Sequence, residues 1–168
     1  DGRASIEFCD YRNTTGTYDN IVSIEMIEAV GERYWPSYFA MLKARLARDA
    51  RAVVQAITVP AAYFDIYRSS TDFIRQYTFP GGMLLSDAVI ADEARRAGLQ
   101  VKGSFAFGQD YAQTLRHWSS RMDANVKRIK QIGYSDEHLR SWQFYLQICA
   151  ASFGVKQTDV VQVELAHA

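Results

Sequence analysis

The sequence predicts an open α/β sheet, and three observations predict it. Two β-branched runs, residues 21–24 and 52–59, are nearly continuous, as strands buried on both faces are. Between them, residues 38–46 place Tyr38, Met41, Leu42, Arg45 and Leu46 on one helical face. Two carboxylates, Glu25 and Glu28, follow the first run directly. In an open α/β sheet, ligands collect in the crevice outside the carboxyl ends of the strands, so acidic groups there are placed to act on something bound.

Taken in order, residues 5–9 alternate polar and apolar side chains and read as a half-exposed first strand. Residues 21–24, the helix at 38–46 with Pro36 in its first turn, and residues 52–59 form a parallel strand–helix–strand unit with a right-handed crossover. Residues 61–80 hold Tyr63, Phe64, Tyr67, Phe73, Tyr77 and Phe79 and end in Pro80-Gly81-Gly82, an irregular helical excursion over the top of the sheet. Ser86 caps a helix that runs to Ala97 and stops at Gly98. Residues 99–107 are a further strand with Val101, Gly103 and Phe105 on one face, and two or three helices follow. The clearest starts at Ser135, with Asp136 and Glu137 in its first turn and the stripe Leu139, Trp142, Leu146, Cys149, Phe153. Residues 158–166 alternate and give a last, antiparallel strand.

At 168 residues the chain can bury one sizeable core. Its 19 basic and 19 acidic residues cancel, which disfavours nucleic acid as a partner. The local clusters Arg45, Arg48, Arg51 and Lys127, Arg128, Lys130 read as solvated helix faces. Cys9 and Cys149 have no metal spacing and fit free thiols in a reducing cytoplasm. No apolar run approaches the ~18 residues of a membrane span. His117, His138 and His167 lack a second ligand nearby, so no metal is expected.

Four motifs then point to a family. Ser23-Ile24-Glu25-Met26-Ile27-Glu28-Ala29-Val30-Gly31, Phe79-Pro80-Gly81-Gly82, Asp110-Tyr111-Ala112-Gln113-Thr114-Leu115-Arg116-His117-Trp118 and Tyr145-Leu146-Gln147-Ile148-Cys149-Ala150-Ala151-Ser152-Phe153 resemble the cyclopropane-fatty-acyl-phospholipid synthases. These are S-adenosylmethionine-dependent methyltransferases, and the likeness runs in order from Asp10 to Val163. The resemblance implies a Rossmann-like class I methyltransferase sheet with a helical insertion over the active site. It also implies that residues 1–168 are the C-terminal part of a single catalytic domain. The family's glycine-rich cofactor loop and the acidic residue for the cofactor ribose have no counterpart here. The first two strands of that sheet are therefore expected to be absent from this chain, which by itself is expected to be inactive. Two further departures are Asp49-Ala50 where the family has a Gly-Gly turn, and Gln55 where many members carry histidine.

The resemblance implies methyl transfer to the cis double bond of a phospholipid acyl chain, through a carbocation that loses a proton to close a cyclopropane ring. It implies a bicarbonate ion as the base, held by Glu28, Gln55 at the histidine position, the backbone of Ile57, and Tyr111. For the cofactor it implies Asp10, Tyr11 and Arg12 at the adenine, and Ser23, Ile24 and Glu25 on the methionine side. Structural alternatives stand beside these: a helix-dipole role for Glu28, a packing role for Tyr111, a turn role for Asp10. Glutamine cannot shuttle a proton as histidine can, so another acceptor, a methyl-branched acyl chain or an amine, stays open. A non-catalytic binding module is the reading from a different class. Peripheral contact with a membrane surface and a homodimer complete the expected partners.

Overall fold

The computed structural model describes residues 2–168. Its sheet has four strands in the order β1-β2-β4-β3: β1 (Tyr18–Ile24), β2 (Leu46–Thr58), β3 (Leu99–Ala106) and β4 (Asp159–His167). β1 and β2 are parallel, and β4 runs antiparallel to both β2 and β3. The strand–helix–strand unit and the antiparallel last strand are thus as the sequence predicts. β2 is longer than its predicted core and takes in Asp49 and Ala50, so no turn stands there. Arg48 and Arg51 consequently lie on this strand rather than on a helix face, and Arg51 pairs with Glu164 on β4 at 2.8 Å.

One expectation fails outright. Residues 5–9 form no strand, and Ile6 and Phe8 are fully exposed at 101% and 111%. Alternation alone does not make a strand when no neighbouring edge accepts its ladder. β3 forms, but only Leu99 is buried; Val101 and Phe105 stay exposed on this edge strand. β1 pairs only with β2 among the described residues, and its Val22 and Ile24 are 67% and 62% exposed.

Helices cover both faces of the sheet. On one side α2 (Trp35–Arg45) and α4 (Asp87–Arg96) bury Tyr38, Phe39, Leu42 and Ile90 against Ala52, Val54, Val163 and Leu165. Short α1 (Ile27–Val30) joins this cluster through Ile27. On the other side α5 (Gly108–Ala124) and α7 (Asp136–Gly154) bury Ala112, Leu115, Leu146 and Phe153 against Val160. The caps follow the sequence: Ser86 accepts from the Val89 N–H, Ser135 from the His138 N–H, and Gly98 ends α4 at φ 80°. α6 (Val126–Gln131) links α5 and α7, with Lys130 paired to Asp136.

The aromatic excursion is α3 (Ala61–Ser69) followed by a π-helical turn, Ile74–Thr78. Arg75 pins it. Its guanidinium lies 4.3 Å from the Tyr67 ring centre and donates to the Tyr67 and Ser70 carbonyls. No helix among the described residues is long and apolar enough to cross a membrane.

Asp159 joins the sheet to α5: one carboxylate oxygen accepts from the N–H groups of Gly108 and Val160 at 2.7 and 2.8 Å. A Cβ on Gly108 would fall 2.6 Å from that oxygen and 3.1 Å from the Asp159 Cα. Gly108→Ala is therefore expected to destabilise the fold by about 1–3 kcal/mol, read as a lowered urea midpoint with an unchanged slope.

Candidate active site

The end of β1 creates the site. In a parallel pair each residue sends its N–H and C=O to the same side, so Gln55 and Ile57 both address β1. The Gln55 carbonyl is met by the Glu25 N–H at 2.9 Å, but at Glu25 the chain turns away with φ 50°. The Ile57 N–H therefore points past the strand end. The Glu28 side chain takes the missing partner's place and accepts from it at 2.6 Å. The other Glu28 oxygen is buried with no hydrogen-bond partner, and burial pushes this carboxyl above its usual range.

Glu25 faces the same spot from the other side. Both its oxygens accept from the Tyr111 hydroxyl at 2.9 Å, and one also accepts from the Gln55 amide at 2.8 Å. The Gln55 oxygen accepts in turn from Gln162 at 3.0 Å. Burial, and then the bond and charge of Glu25, push the Tyr111 hydroxyl well above its usual range; the Glu28 charge acts in the same direction. Glu28, Gln55, the Ile57 N–H and Tyr111 are thus brought together, with Glu25 among them rather than on the cofactor side alone.

An aromatic wall adjoins this network. Tyr111 packs edge-on to Phe153 (5.2 Å between ring centres) and Phe107 (6.4 Å). Tyr145 packs edge-on to Trp142 (5.2 Å) and Phe79 (5.6 Å). Burial, together with Cys149 and the Glu25 charge, holds the Tyr145 hydroxyl in its neutral form, and burial raises the Cys149 thiol to about 11. Phe79 opens the Phe79-Pro80-Gly81-Gly82 turn, and the next residue, Met83, docks on the Glu28 carbonyl at 2.9 Å. The excursion is therefore tied to the carboxylate helix. A surface hollow bordered by Trp35, Phe64, Arg68 and Glu93 shares no residue with the network.

The two segments that the resemblance assigns to the cofactor also meet, through Tyr38. Its hydroxyl donates to Ser23 at 2.7 Å, while its ring packs edge-on to Tyr11 at 5.9 Å. Burial raises the Tyr38 hydroxyl to about 12. Asp10 caps the short 3₁₀ turn Tyr11–Asn13 and forms a two-point pair with Arg12 at 3.0 and 2.7 Å. The Arg12 guanidinium holds its carboxyl down at about 2. This is the turn role. Ile24 lies on the open edge of β1.

Sequence reasoning misses four participants: Tyr38, Tyr145 and Cys149, named only as helix or motif residues, and Gln162. Gln162 stands opposite Gln55 in the antiparallel register, two glutamines facing each other within apolar strands. That signal is readable only once the register is known. Glu25 is named, but for the cofactor and not for Tyr111.

Comparison with known proteins places the chain in a family. The sequence profile of the mycolic acid cyclopropane synthetase family matches residues 1–163. The tuberculostearic acid methyltransferase of Mycobacterium tuberculosis is 37% identical over 95% of this chain and 38% of its own length. The cyclopropane-fatty-acyl-phospholipid synthase of Escherichia coli is 29% identical over 92% of this chain and 39% of its own. A crystal structure of a mycolic acid cyclopropane synthase complexed with SAH superposes with a TM-score of 0.83 at 25% identity, covering 92% of this chain and 57% of that one. The chain thus spans under two fifths of these two curated relatives, and its sheet is that of the class I S-adenosylmethionine-dependent methyltransferases. It belongs to the mycolic acid cyclopropane synthetase family.

Proposed function

We propose that residues 1–168 form the acceptor-side, C-terminal part of a single S-adenosylmethionine-dependent methyltransferase domain. Its acceptor is the cis double bond of an unsaturated fatty-acyl phospholipid, reached at a membrane surface, and its product carries a cyclopropane ring. One observation carries this: two carboxylates, Tyr111 and the Ile57 N–H converge at the tip of β1 beside the aromatic pairs of Tyr111 and Tyr145. A carbocation formed in an acyl chain needs electron-rich faces and a proton acceptor, and these groups supply both. The names of the relatives, fatty acid methyltransferases and cyclopropane synthases, support the same substrate class.

When bound, the cofactor supplies an electrophilic methyl group on sulfur. Its adenine would rest near Tyr11, and its amino-acid end near Ser23 and the tip of β1. Tyr38 fixes the spacing between these two segments. Asp10 is already paired with Arg12 and serves this site by shaping the turn.

A second reading has its own observation. Gln55 is locked between Glu25 and Gln162, so it carries no proton away from the added methyl group; loss of a proton from a neighbouring chain carbon instead leaves a methyl-branched alkene in place of a ring as the competing product. Cells that express the full-length protein should contain acyl chains heavier by one methylene. A ring-containing product supports the leading reading and a branched one the second. Unchanged lipids, despite a protein that binds the cofactor, would reject both.

Glu28 gives a pH test. An unfolded glutamate releases its proton near 4.5, and burial makes folded Glu28 hold it to higher pH. Through that window the folded state binds more protons than the unfolded one, so this group makes stability fall as pH rises. Glu28→Gln removes the titration. Its stability relative to the unaltered protein should therefore increase from acidic to neutral pH in urea denaturation, while methyl transfer drops by roughly 10²-fold or more.

A further inference from the structure

We propose that Glu25 is the proton acceptor of this reaction, a built-in carboxylate standing where the family resemblance puts a separate bicarbonate ion. The inference rests on the methyl-transfer reading above and deepens it. The groups assigned to that ion are already engaged: the Ile57 N–H with Glu28, the Tyr111 hydroxyl with Glu25, and the Gln55 amide with Glu25 on one side and Gln162 on the other. What remains is the second Glu28 oxygen, buried and unpartnered. A third anionic group between Glu25 and Glu28 would meet repulsion from the Glu25 carboxylate and find the Ile57 N–H and the Tyr111 hydroxyl already taken. Bicarbonate does not fit this set.

The backbone supports the same conclusion. Among the described residues Glu25 is one of two non-glycine residues with positive φ, at 50°, a conformation that costs an ordinary residue about 1–2 kcal/mol. Such strain persists where the surroundings fix it, and it concentrates at functional sites. Here the left-handed turn at the strand tip brings the Glu25 carboxylate to Tyr111 and Gln55.

The step balances without another reactant. The π electrons of the acceptor double bond form the new C–C bond to the methyl carbon, and the C–S electron pair stays on sulfur. Positive charge is left on the other alkene carbon. A Glu25 oxygen then takes a proton from the added methyl group, and the released C–H pair closes the ring. Glu25 becomes the neutral acid and returns its proton to water between turnovers. Both its oxygens are held by hydrogen bonds, which restrains it from capturing the cation as an ester.

The test uses the full-length protein, acyl phospholipid vesicles and CO2-free buffer, with bicarbonate added back. The unaltered protein should turn over equally with and without bicarbonate. Glu25→Gly relieves the backbone strain and removes the carboxylate. It should lose ~10²–10⁴-fold in turnover, regain at least part of that with bicarbonate, and gain binding of carbon-13-labelled bicarbonate by NMR that the unaltered protein lacks. Bicarbonate-dependent turnover of the unaltered protein would overturn the assignment of Glu25 alone. So would a Glu25→Gly protein that stays active without bicarbonate, or one that bicarbonate cannot rescue. No methylated lipid under any of these conditions would overturn the methyltransferase reading, and this one with it.

Discussion

The early end of β1 is the constraint on which this site depends. Had β1 continued two residues further, its backbone would satisfy the Ile57 N–H and no polar side chain would be needed there. Because the chain turns left-handed at Glu25, the ladder stops after Gln55, and the Glu28 carboxylate fills the gap. One local backbone event therefore places two carboxylates three residues apart at one strand tip. Leaving the Ile57 N–H unpaired would cost about 1–3 kcal/mol, so the pairing with Glu28 serves the fold as well as the proposed chemistry.

The rest of the molecule is arranged around that tip. α5 starts beside it, with its N-terminal N–H bound by Asp159, which brings Tyr111 one turn into the helix onto Glu25. α7 supplies Tyr145, Cys149 and Phe153 from the same side. The excursion after β2 returns through the Phe79–Gly82 turn, and Met83 then grips the Glu28 backbone. Two of these segments, the start of α5 and the excursion, are thus held near the site through backbone N–H groups. Such anchoring holds aromatic faces and acidic groups at fixed separations, as the proposed reaction through a short-lived cation requires.

Much of the fold was legible because it rests on local signals. The Ser86 and Ser135 caps, the Gly98 stop and the two β-branched runs each declare themselves within a few residues. The errors came from signals that need a partner. Residues 5–9 alternate like a strand yet meet no edge, and Arg48 and Arg51 read as a helix face although a strand runs through them. At the site, the sequence motifs named Glu28, Gln55, Ile57 and Tyr111, which the fold brings together. They did not show that Glu25 would take Tyr111, or that Gln162 would fix Gln55, since both facts depend on register and on a left-handed backbone angle.

Whether Glu25 and Tyr111 act as one unit is tested most directly by a double-mutant cycle on turnover of the full-length protein. If Tyr111 acts by holding the Glu25 carboxylate, then Glu25→Gln with Tyr111→Phe should be little worse than the more damaging single change, a coupling of at least about tenfold. Losses that simply multiply would mean that the two groups act independently, and would contradict the account.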